Sequence, residues 1–355
     1  MSKLFEPIAL RDVELENRVV VSPMCQYSSE EGNANDWHVV NLGHFALSGP
    51  GLAFFEATHV SPEGRITAAD LGLYSDDNEE AMSRVVAFMR RWTHTKVGVQ
   101  LAHAGRKGST LPPWEGGGPA LGAAAYQTVA PSAIPYADWR APQALDAAGL
   151  QKVRDDFVTA AKRCERLGID VVELHFAHGY LAHQFLSPLS NAREDEYGGT
   201  LENRLRFPLE LFSAVRAVWP VGKPLGVRIS ATDWVEGGWD VAQSIELVRE
   251  LRNRGCDFVD VSSGGLSPEQ KITAGPGYQV PFAAEIRRAT GLLTMAVGMI
   301  TEPAQAETIL RSGEADFIVL ARGFIRNPQW TWDAADSLGG TPFVPQQYAR
   351  GRNRH

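Results

Sequence analysis

Cysteine is scarce in this chain of 355 residues. Its three cysteines, Cys25, Cys164 and Cys256, are far apart in sequence and odd in number. A disulfide framework needs paired cysteines, and a thiolate site for zinc or an iron–sulfur cluster needs cysteines at short spacing. The sequence therefore excludes both classes of site. Cys164 belongs to an apolar stripe of helical period, which predicts a core residue there.

Long apolar runs and an excess of basic residues are also missing. The nearest approach to a transmembrane segment, Gly291–Ile300, falls short of the roughly 18 residues that such a helix needs. The formal charge is −8, whereas a nucleic-acid-binding surface needs clustered Lys and Arg. The first residues lack the charged and then apolar pattern of a signal peptide. We expect a cytoplasmic protein that binds neither membranes nor nucleic acid.

Eight short segments rich in Val, Ile, Leu and Phe alternate with segments of helical period. The strand candidates lie near residues 18–23, 52–59, 96–103, 170–177, 224–230, 257–263, 292–299 and 315–321. Helical spacing marks residues 77–93, 146–167, 201–219, 241–254, 280–290, 303–311 and 328–338. This α/β pattern predicts a (β/α)8 TIM barrel that forms a single domain over residues 1–355. The Gly-, Pro- and Ala-rich segment 103–143 is expected to be a long functional loop after strand 3.

Three of the predicted strands carry polar residues where the chain faces the barrel axis. Alternate apolar residues supply the face toward the helices, which leaves Gln100, Glu173 with His175, and Arg228 on the inner face. Active sites of such barrels lie at the C-terminal ends of the strands, so these side chains indicate a site. A buried Arg228 without a partner is very costly. It requires an internal carboxylate, for which Glu173 is the candidate, or an anionic ligand.

The segment His175-Phe-Ala-His178-Gly-Tyr180 follows the fourth strand and allows three interpretations. With His103 and Glu173, the two histidines suit a zinc or iron site. Alternatively, they donate hydrogen bonds to a carbonyl oxygen, with Tyr180 close by as a proton source. In the third interpretation they are structural histidines with satisfied hydrogen bonds. The spacing alone leaves these alternatives open.

Glycines lie near the ends of the last two strands, where TIM barrels commonly bind phosphate. At Gly298 and Gly323 the missing side chain lets backbone N–H groups approach an anion, and Arg322 adds charge-assisted hydrogen bonds. The chain has neither a Gly-x-Gly-x-x-Gly motif after its first strand nor a P-loop. A phosphate-bearing cofactor of mononucleotide size fits better than a dinucleotide. Two ordinary turn glycines are the alternative.

Together these motifs resemble those of the old yellow enzyme family, in its thermophilic-like bacterial class. The resemblance extends from Leu4 to Gly351. The matching segments are Ser22-Pro23-Met24-Cys25-Gln26-Tyr27, Glu56-Ala57-Thr58, Gln100 to Lys107, His175 to Tyr180, Gly298 and Ala321-Arg322. The resemblance implies a non-covalently bound FMN, with NADPH as the hydride donor and NADH as the alternative donor.

The resemblance also implies a role for each of these residues. The residues that contact FMN are Ser22, Pro23, Met24, Cys25, Ala57, Gln100, Arg228, Gly298, Ala321 and Arg322, of which the last three bind its phosphate. His175 and His178 are implied to bind the oxygen that activates an alkene, and Tyr180 to protonate its α-carbon. Cys25 resembles a cysteine that tunes the flavin potential, although on chemistry alone it is equally a small buried hydrophobe.

Two further residues are implied to bind the substrate. Tyr27 resembles a tyrosine of the substrate pocket. Arg350 resembles an arginine of a C-terminal tail, about residues 340–355, that reaches the pocket of a neighbouring subunit. A homodimer or homotetramer follows from that resemblance. Lys107 lies within the strand-three motif, where we expect a local ion pair.

The sequence thus predicts an FMN-dependent, NADPH-consuming ene-reductase for small activated alkenes, with no metal. One alternative is a metal-dependent hydrolase on a barrel scaffold that uses His175 and His178, although Arg228 in the same cavity would repel the metal. A barrel that only binds a ligand is another, since a fold does not determine a function. A reductase of the dienoyl-CoA type is disfavoured because its cluster needs four grouped cysteines.

Overall fold

Eight parallel strands form a closed barrel in the computed structural model, which describes residues 2–352. The strands are β1 (Val19–Val21), β2 (Leu52–His59), β3 (Lys96–Ala102), β4 (Val171–Phe176), β5 (Leu225–Ser230), β6 (Phe258–Ser262), β7 (Leu293–Ala296) and β8 (Phe317–Leu320). They pair in chain order, and β8 pairs with β1 to close the barrel. The predicted fold class is confirmed, and every strand lies within its predicted segment.

Each strand is followed by a helix that packs on the outside of the barrel. These helices are α1 (Asp36–Ala46), α2 (Asp76–Trp92), α3 (Ala147–Arg166), α4 (Leu201–Val218), α5 (Val241–Asn253), α6 (Val280–Thr290), α7 (Pro303–Arg311) and α8 (Trp330–Leu338). Short helices follow at Leu181–Leu186, Arg322–Arg326 and Ala349–Arg352. Within the described range, no helix combines the length and the apolar character needed to cross a membrane.

The helix α1 was not predicted, because its apolar residues do not form one buried stripe. Trp37 and Val40 on this helix are 52% and 63% exposed. Its start does carry a local signal, since the Asn35 side chain accepts a hydrogen bond from the Trp37 N–H and the Asn35 N–H donates to His38 Nδ1. Such reciprocal capping is typical of a helix N-terminus. The other seven helices lie within two residues of their predicted bounds.

An apolar layer fills the barrel at the N-terminal ends of the strands, which is its lower half here. The polar layer packs on it toward the C-terminal ends. An antiparallel hairpin, Ile8–Leu10 with Val13–Leu15, closes the lower end, and its leucines pack with Phe54 and Phe258. Gly98 lies opposite Phe54 on the neighbouring strand, and Gly226 lies opposite Phe258. A Cβ atom at Gly98 would lie 2.5 Å from Cδ1 of Phe54. The two glycines therefore make room for the aromatic rings on which the site rests.

The substitution Gly98→Ala is expected to destabilise the protein by about 1–3 kcal/mol, because the new methyl group overlaps the Phe54 ring in a closely packed layer. The matched control is Gly118→Ala, since a Cβ at Gly118 meets no atom within 4 Å. We expect the control to change the free energy of unfolding by less than about 0.5 kcal/mol. Urea unfolding of both variants measures the difference, and equal stabilities would contradict this packing.

Candidate active site

Polar side chains meet at the C-terminal ends of β3 to β6, directly above the apolar layer. Gln100 Nε2 donates to Glu173 Oε1 at 2.7 Å. Arg228 Nε lies 3.1 Å from Asp260 Oδ2, and Arg228 Nη1 donates to Ser22 Oγ at 3.2 Å. All five side chains are buried. The alternation of the strands thus places the predicted Gln100, Glu173 and Arg228 around one cavity.

The ion-pair partner of Arg228 is Asp260. The prediction that Glu173 is this partner was wrong. Arg228 and Asp260 lie directly opposite each other on β5 and β6, whereas Glu173 lies opposite Gly226 and binds Gln100. Burial and the negative charge of Asp260 raise the pKa of Glu173 to about 8, although Arg228 opposes the shift. Applying the same alternation to β6 would have identified the second inward carboxylate.

The end of β4 and the turn after it bring His175, His178 and Tyr180 to the rim of the same cavity. His178 has a left-handed backbone with φ 57°. His175 Nε2 lies 3.3 Å from His178 Nδ1, and His178 Nε2 lies 2.8 Å from Ser262 Oγ. The ring of Tyr180 stands edge-on to His175 with 5.0 Å between the centroids. The three polar side chains of this one segment therefore form one surface.

Electrostatics make these three groups neutral at pH 7. Burial lowers the pKa of His175 and of His178 well below the ordinary value, and the charge of Arg228 lowers both further. Burial raises the pKa of Tyr180 well above 10. The N–H of Ala177 donates to His175 Nδ1, which leaves the proton of the neutral ring on Nε2. The rim can therefore donate hydrogen bonds from neutral imidazole and phenol groups.

His103 does not join this cluster, so the metal-site interpretation loses one of its ligands. Its side chain lies near Gly64, accepts the N–H of Gly105 at Nδ1, and has a pKa that burial lowers to about 3. In the alternation of β3, His103 continues the outward-facing series that includes Leu101. Among residues 2–352 no group of three His, Cys, Asp or Glu side chains is arranged to hold a metal ion.

Lys107 makes no ion pair in the part of the chain that the structure describes, so the expectation of one was wrong. Its Nζ donates to the carbonyl oxygens of His178 at 2.9 Å and Gly265 at 2.7 Å. The same ammonium group lies 4.8 Å from the ring centroid of Tyr136 and 5.3 Å from that of Tyr180. Burial lowers the pKa of Lys107 to about 8. Carbonyl oxygens and aromatic faces replace the acidic partner and join two loops of the rim.

The segment after β1 forms the opposite side of the site. Its residues Ser22, Pro23, Met24 and Cys25 leave the barrel, and Ser22 N–H still donates to the carbonyl of Leu320 on β8. Ala57 lies opposite Gln100, beside an irregularity in the pairing of β2 with β3. Burial raises the pKa of the Cys25 thiol and of the Tyr27 phenol. All of these predicted residues thus border the same end of the barrel.

Two aromatic residues of the long loop after β3 also reach this site and were not predicted. Trp114 packs edge-on against Tyr27 with 5.8 Å between the ring centroids. Tyr136 lies over the ammonium group of Lys107. The loop has no periodic pattern, so the sequence carried no signal that distinguished these two aromatics from others.

A cavity of about 580 Å³ lies beyond the ends of β7 and β8. Gly298, Ala321 and Arg322 line it, together with Tyr278, Gln279, Arg326, Asn327 and Trp330. Gly298 has φ 121°, and a Cβ there would lie 2.9 Å from Gln279 Nε2. The helix Arg322–Arg326 begins at this cavity, where its first N–H groups have no partner within the helix. This cradle has the size and the donors that a phosphate group requires.

Arg350 lies apart from the other predicted residues. It is exposed in the helix Ala349–Arg352, and within the described chain it makes no hydrogen bond or ion pair with any of them. The adjacent Arg352 attaches this helix to Asp336 of α8 at 2.5 Å. Among residues 2–352, no contact therefore brings Arg350 to the site.

Comparison with known proteins identifies this arrangement. Residues 3–339 match the NADH:flavin oxidoreductase / NADH oxidase family. An NADPH dehydrogenase of Geobacillus sp. (strain WCH70) is 43% identical over 351 residues, which cover 98% of each chain. An NADPH dehydrogenase of Listeria innocua serovar 6a is 44% identical over 353 residues, which cover 99% of each chain.

Solved structures agree on the fold. Morphinone reductase, at 28% identity, superposes with a TM-score of 0.79 over 97% of this chain and 92% of its own. That protein has also been solved in complex with tetrahydroNAD. A 2-naphthoyl-CoA reductase superposes with a TM-score of 0.85 at 22% identity, and this chain spans 52% of its length. The chain belongs to the NADH:flavin oxidoreductase / NADH oxidase family, that of the old yellow enzymes, and is an oxidoreductase with FMN as cofactor and NADPH or NADH as electron donor.

Proposed function

We propose that this protein is an ene-reductase, which reduces the C=C bond of small alkenes conjugated to a carbonyl or nitro group. The observation that carries the proposal is the shared rim of His175, His178 and Tyr180 above Gln100 and Arg228. When bound, FMN takes a hydride from the nicotinamide and gives it to the alkene. The chain's own residues then have to hold the flavin, polarise the alkene and supply a proton.

The side chains of the polar layer fit the flavin ring. Because Gln100 Nε2 is engaged by Glu173, its Oε1 is left to accept a hydrogen bond from a ring N–H. Arg228 keeps its positive charge in a buried site, where it stabilises negative charge on the reduced ring. The segment Ser22, Pro23, Met24 and Cys25, together with Ala57, borders the ring. Gly298, Ala321 and Arg322 hold the phosphate through backbone N–H groups and a guanidinium group.

The rim residues fit the alkene. When the activating oxygen binds, His175 and His178 exchange their contacts with each other and with Ser262 for hydrogen bonds to that oxygen. They then stabilise the negative charge that grows there during hydride transfer. Tyr180 is protonated because burial raises its pKa, and it delivers the proton to the α-carbon. Tyr27 limits the pocket on the side of the first strand, where Trp114 covers it.

We further infer that the chain acts as one FMN-binding domain over residues 1–355 in a cytoplasmic homodimer or homotetramer. In that assembly Arg350 completes the substrate pocket of a neighbouring subunit. Its exposure, and its lack of bonds to the site within one chain, support this role. The tetrahydroNAD complex of morphinone reductase supports a nicotinamide bound over the same cavity.

The substitution Arg322→Ala is expected to weaken FMN binding by about tenfold or more, since a charge-assisted hydrogen bond contributes about 1.5–3 kcal/mol. Fluorescence titration of apoprotein measures the dissociation constant. Riboflavin is the matched control ligand, because it has the same ring without a phosphate, and its affinity should stay the same. An equal loss for both ligands would place Arg322 away from the phosphate.

The substitution Tyr180→Phe tests the proposed reaction directly. Loss of a general acid should slow alkene reduction by about 100-fold, while flavin reduction by NADPH is nearly unchanged. Anaerobic stopped-flow mixing records both half-reactions through the flavin spectrum, with cyclohexenone as the alkene. Tyr197→Phe, on a loop outside the site, is the control and should alter neither. A wild-type protein that reduces no enone, maleimide or nitroalkene would overturn the proposed function.

Mixing of two impaired variants tests the shared pocket. Arg350→Ala and Tyr180→Phe should each be slow alone, whereas subunit exchange between them should raise the steady-state rate above both parents. In a mixed oligomer the subunit with a native Tyr180 receives Arg350 of the partner subunit. No recovery after verified exchange would mean that Arg350 acts within its own chain or not at all.

A further inference from the structure

Two buried carboxyl groups lie on the strands that flank Arg228, beneath the proposed flavin position. Glu173 is 0% and Asp260 1% exposed, and Arg228 lies between their strands on β5. The ion pair of Arg228 with Asp260 spans 3.1 Å, whereas the hydrogen bond that Glu173 makes comes from the uncharged amide of Gln100. One base therefore faces two acids.

No further ionised side chain in the described barrel interior compensates this imbalance. His175 and His178, on the same strand and the turn after it, are neutral because burial lowers their pKa. On β2, Glu56 faces away and lies 3.2 Å from His38 of α1. His59 of the same strand is buried opposite Ala102 of β3 and lies 2.9 Å from Asp70, so its partner is a carboxylate outside this cluster. The strands β1, β7 and β8 carry no ionisable residue. With both carboxylates ionised, the interior would hold one uncompensated negative charge.

The hydrogen bonds indicate which carboxylate holds a proton. Oε2 of Glu173 and Oδ1 of Asp260 are buried and have no hydrogen-bond partner in the described residues. An ionised carboxylate in such a position is costly unless a cation lies beside it. Asp260 has that cation in Arg228, and Glu173 does not. The proton therefore resides on Glu173, in agreement with its raised pKa.

We propose that Glu173 stores a proton whose binding is linked to the electron state of the flavin. The inference rests on the proposed placement of FMN over Gln100 and Arg228. A hydride brings two electrons and one proton to the flavin, so the site gains one negative charge. That charge competes with Asp260 for Arg228 and strengthens the hold of Glu173 on its proton. In alkaline solution, where Glu173 is ionised before reduction, its carboxylate takes one proton from solvent during reduction and returns it to solvent when the hydride leaves.

Redox titration of the wild-type holoenzyme between about pH 6 and 10 tests this linkage. The slope of the flavin midpoint potential against pH gives the number of protons taken up per two electrons. Below about pH 8, the pKa to which burial and Asp260 raise Glu173, we expect one proton. Above it the number should rise toward two, which doubles the slope. A second proton on the flavin ring itself would appear as the pH falls, which is the opposite trend.

Two variants assign the extra proton. Glu173→Gln keeps an acceptor for Gln100 but cannot ionise, so its slope should stay at one proton over the whole range. Asp260→Asn frees Arg228 to stabilise ionised Glu173, so the rise should begin at lower pH. The matched control is Glu56→Gln, which removes a buried carboxyl outside the barrel interior and should keep the wild-type rise.

The outcomes separate this inference from the proposed function. Wild-type holoenzyme with one proton per two electrons at every pH would overturn the proton store alone. A rise that persists in Glu173→Gln would also overturn it. If that variant fails to bind FMN, the wild-type slope and the shift in Asp260→Asn decide. A wild-type protein that binds no FMN, or whose FMN no nicotinamide reduces, would instead overturn the proposed function.

Discussion

The ion pair between Arg228 and Asp260 is the interaction on which the site depends. Burying it is costly, and a similar volume of apolar side chains often gives equal or greater stability. The pair nevertheless holds a positive charge in a buried position at the proposed flavin site. Removal of Asp260 would leave that charge with the hydroxyl of Ser22, and Glu173 would be the remaining carboxyl group of the cluster. The neighbouring Glu173 then completes a cluster whose charge is neutral only with one proton bound.

The position of this cluster follows from the layer below it. Phe54 and Phe258 fill the barrel because glycines lie opposite them, and the hairpin at residues 8–15 closes the lower end. This packing leaves no room for the polar side chains inside the lower half of the barrel. They therefore lie at the C-terminal ends of the strands. Above them, Lys107 ties the turn after β4 to the loop after β6 by binding two backbone carbonyl groups. This cross-link holds His178 in its left-handed conformation at the rim.

Much of this architecture follows from local patterns in the sequence. Alternation with period two decides which side chains of a strand face the axis, and it placed Gln100, Glu173, His175 and Arg228 correctly on the inner face. Apolar stripes of helical period located seven outer helices. Both signals come from residues that are close in sequence, so they can be detected without knowing which segments pack together. The helix α1 was not located because its exposed Trp37 and Val40 break that pattern.

The sequence by itself thus determined the eight strands, seven of the outer helices and the inward parity of the strands, because each depends only on the geometry of one local segment. The tertiary structure alone decided the partners. Arg228 meets Asp260 through the register of two strands, and Lys107 finds carbonyl groups of two distant loops. Trp114 and Tyr136 reach the rim through a loop with no period. Pairing across the barrel depends on how separate segments are aligned, and no spacing along a single chain encodes that alignment directly.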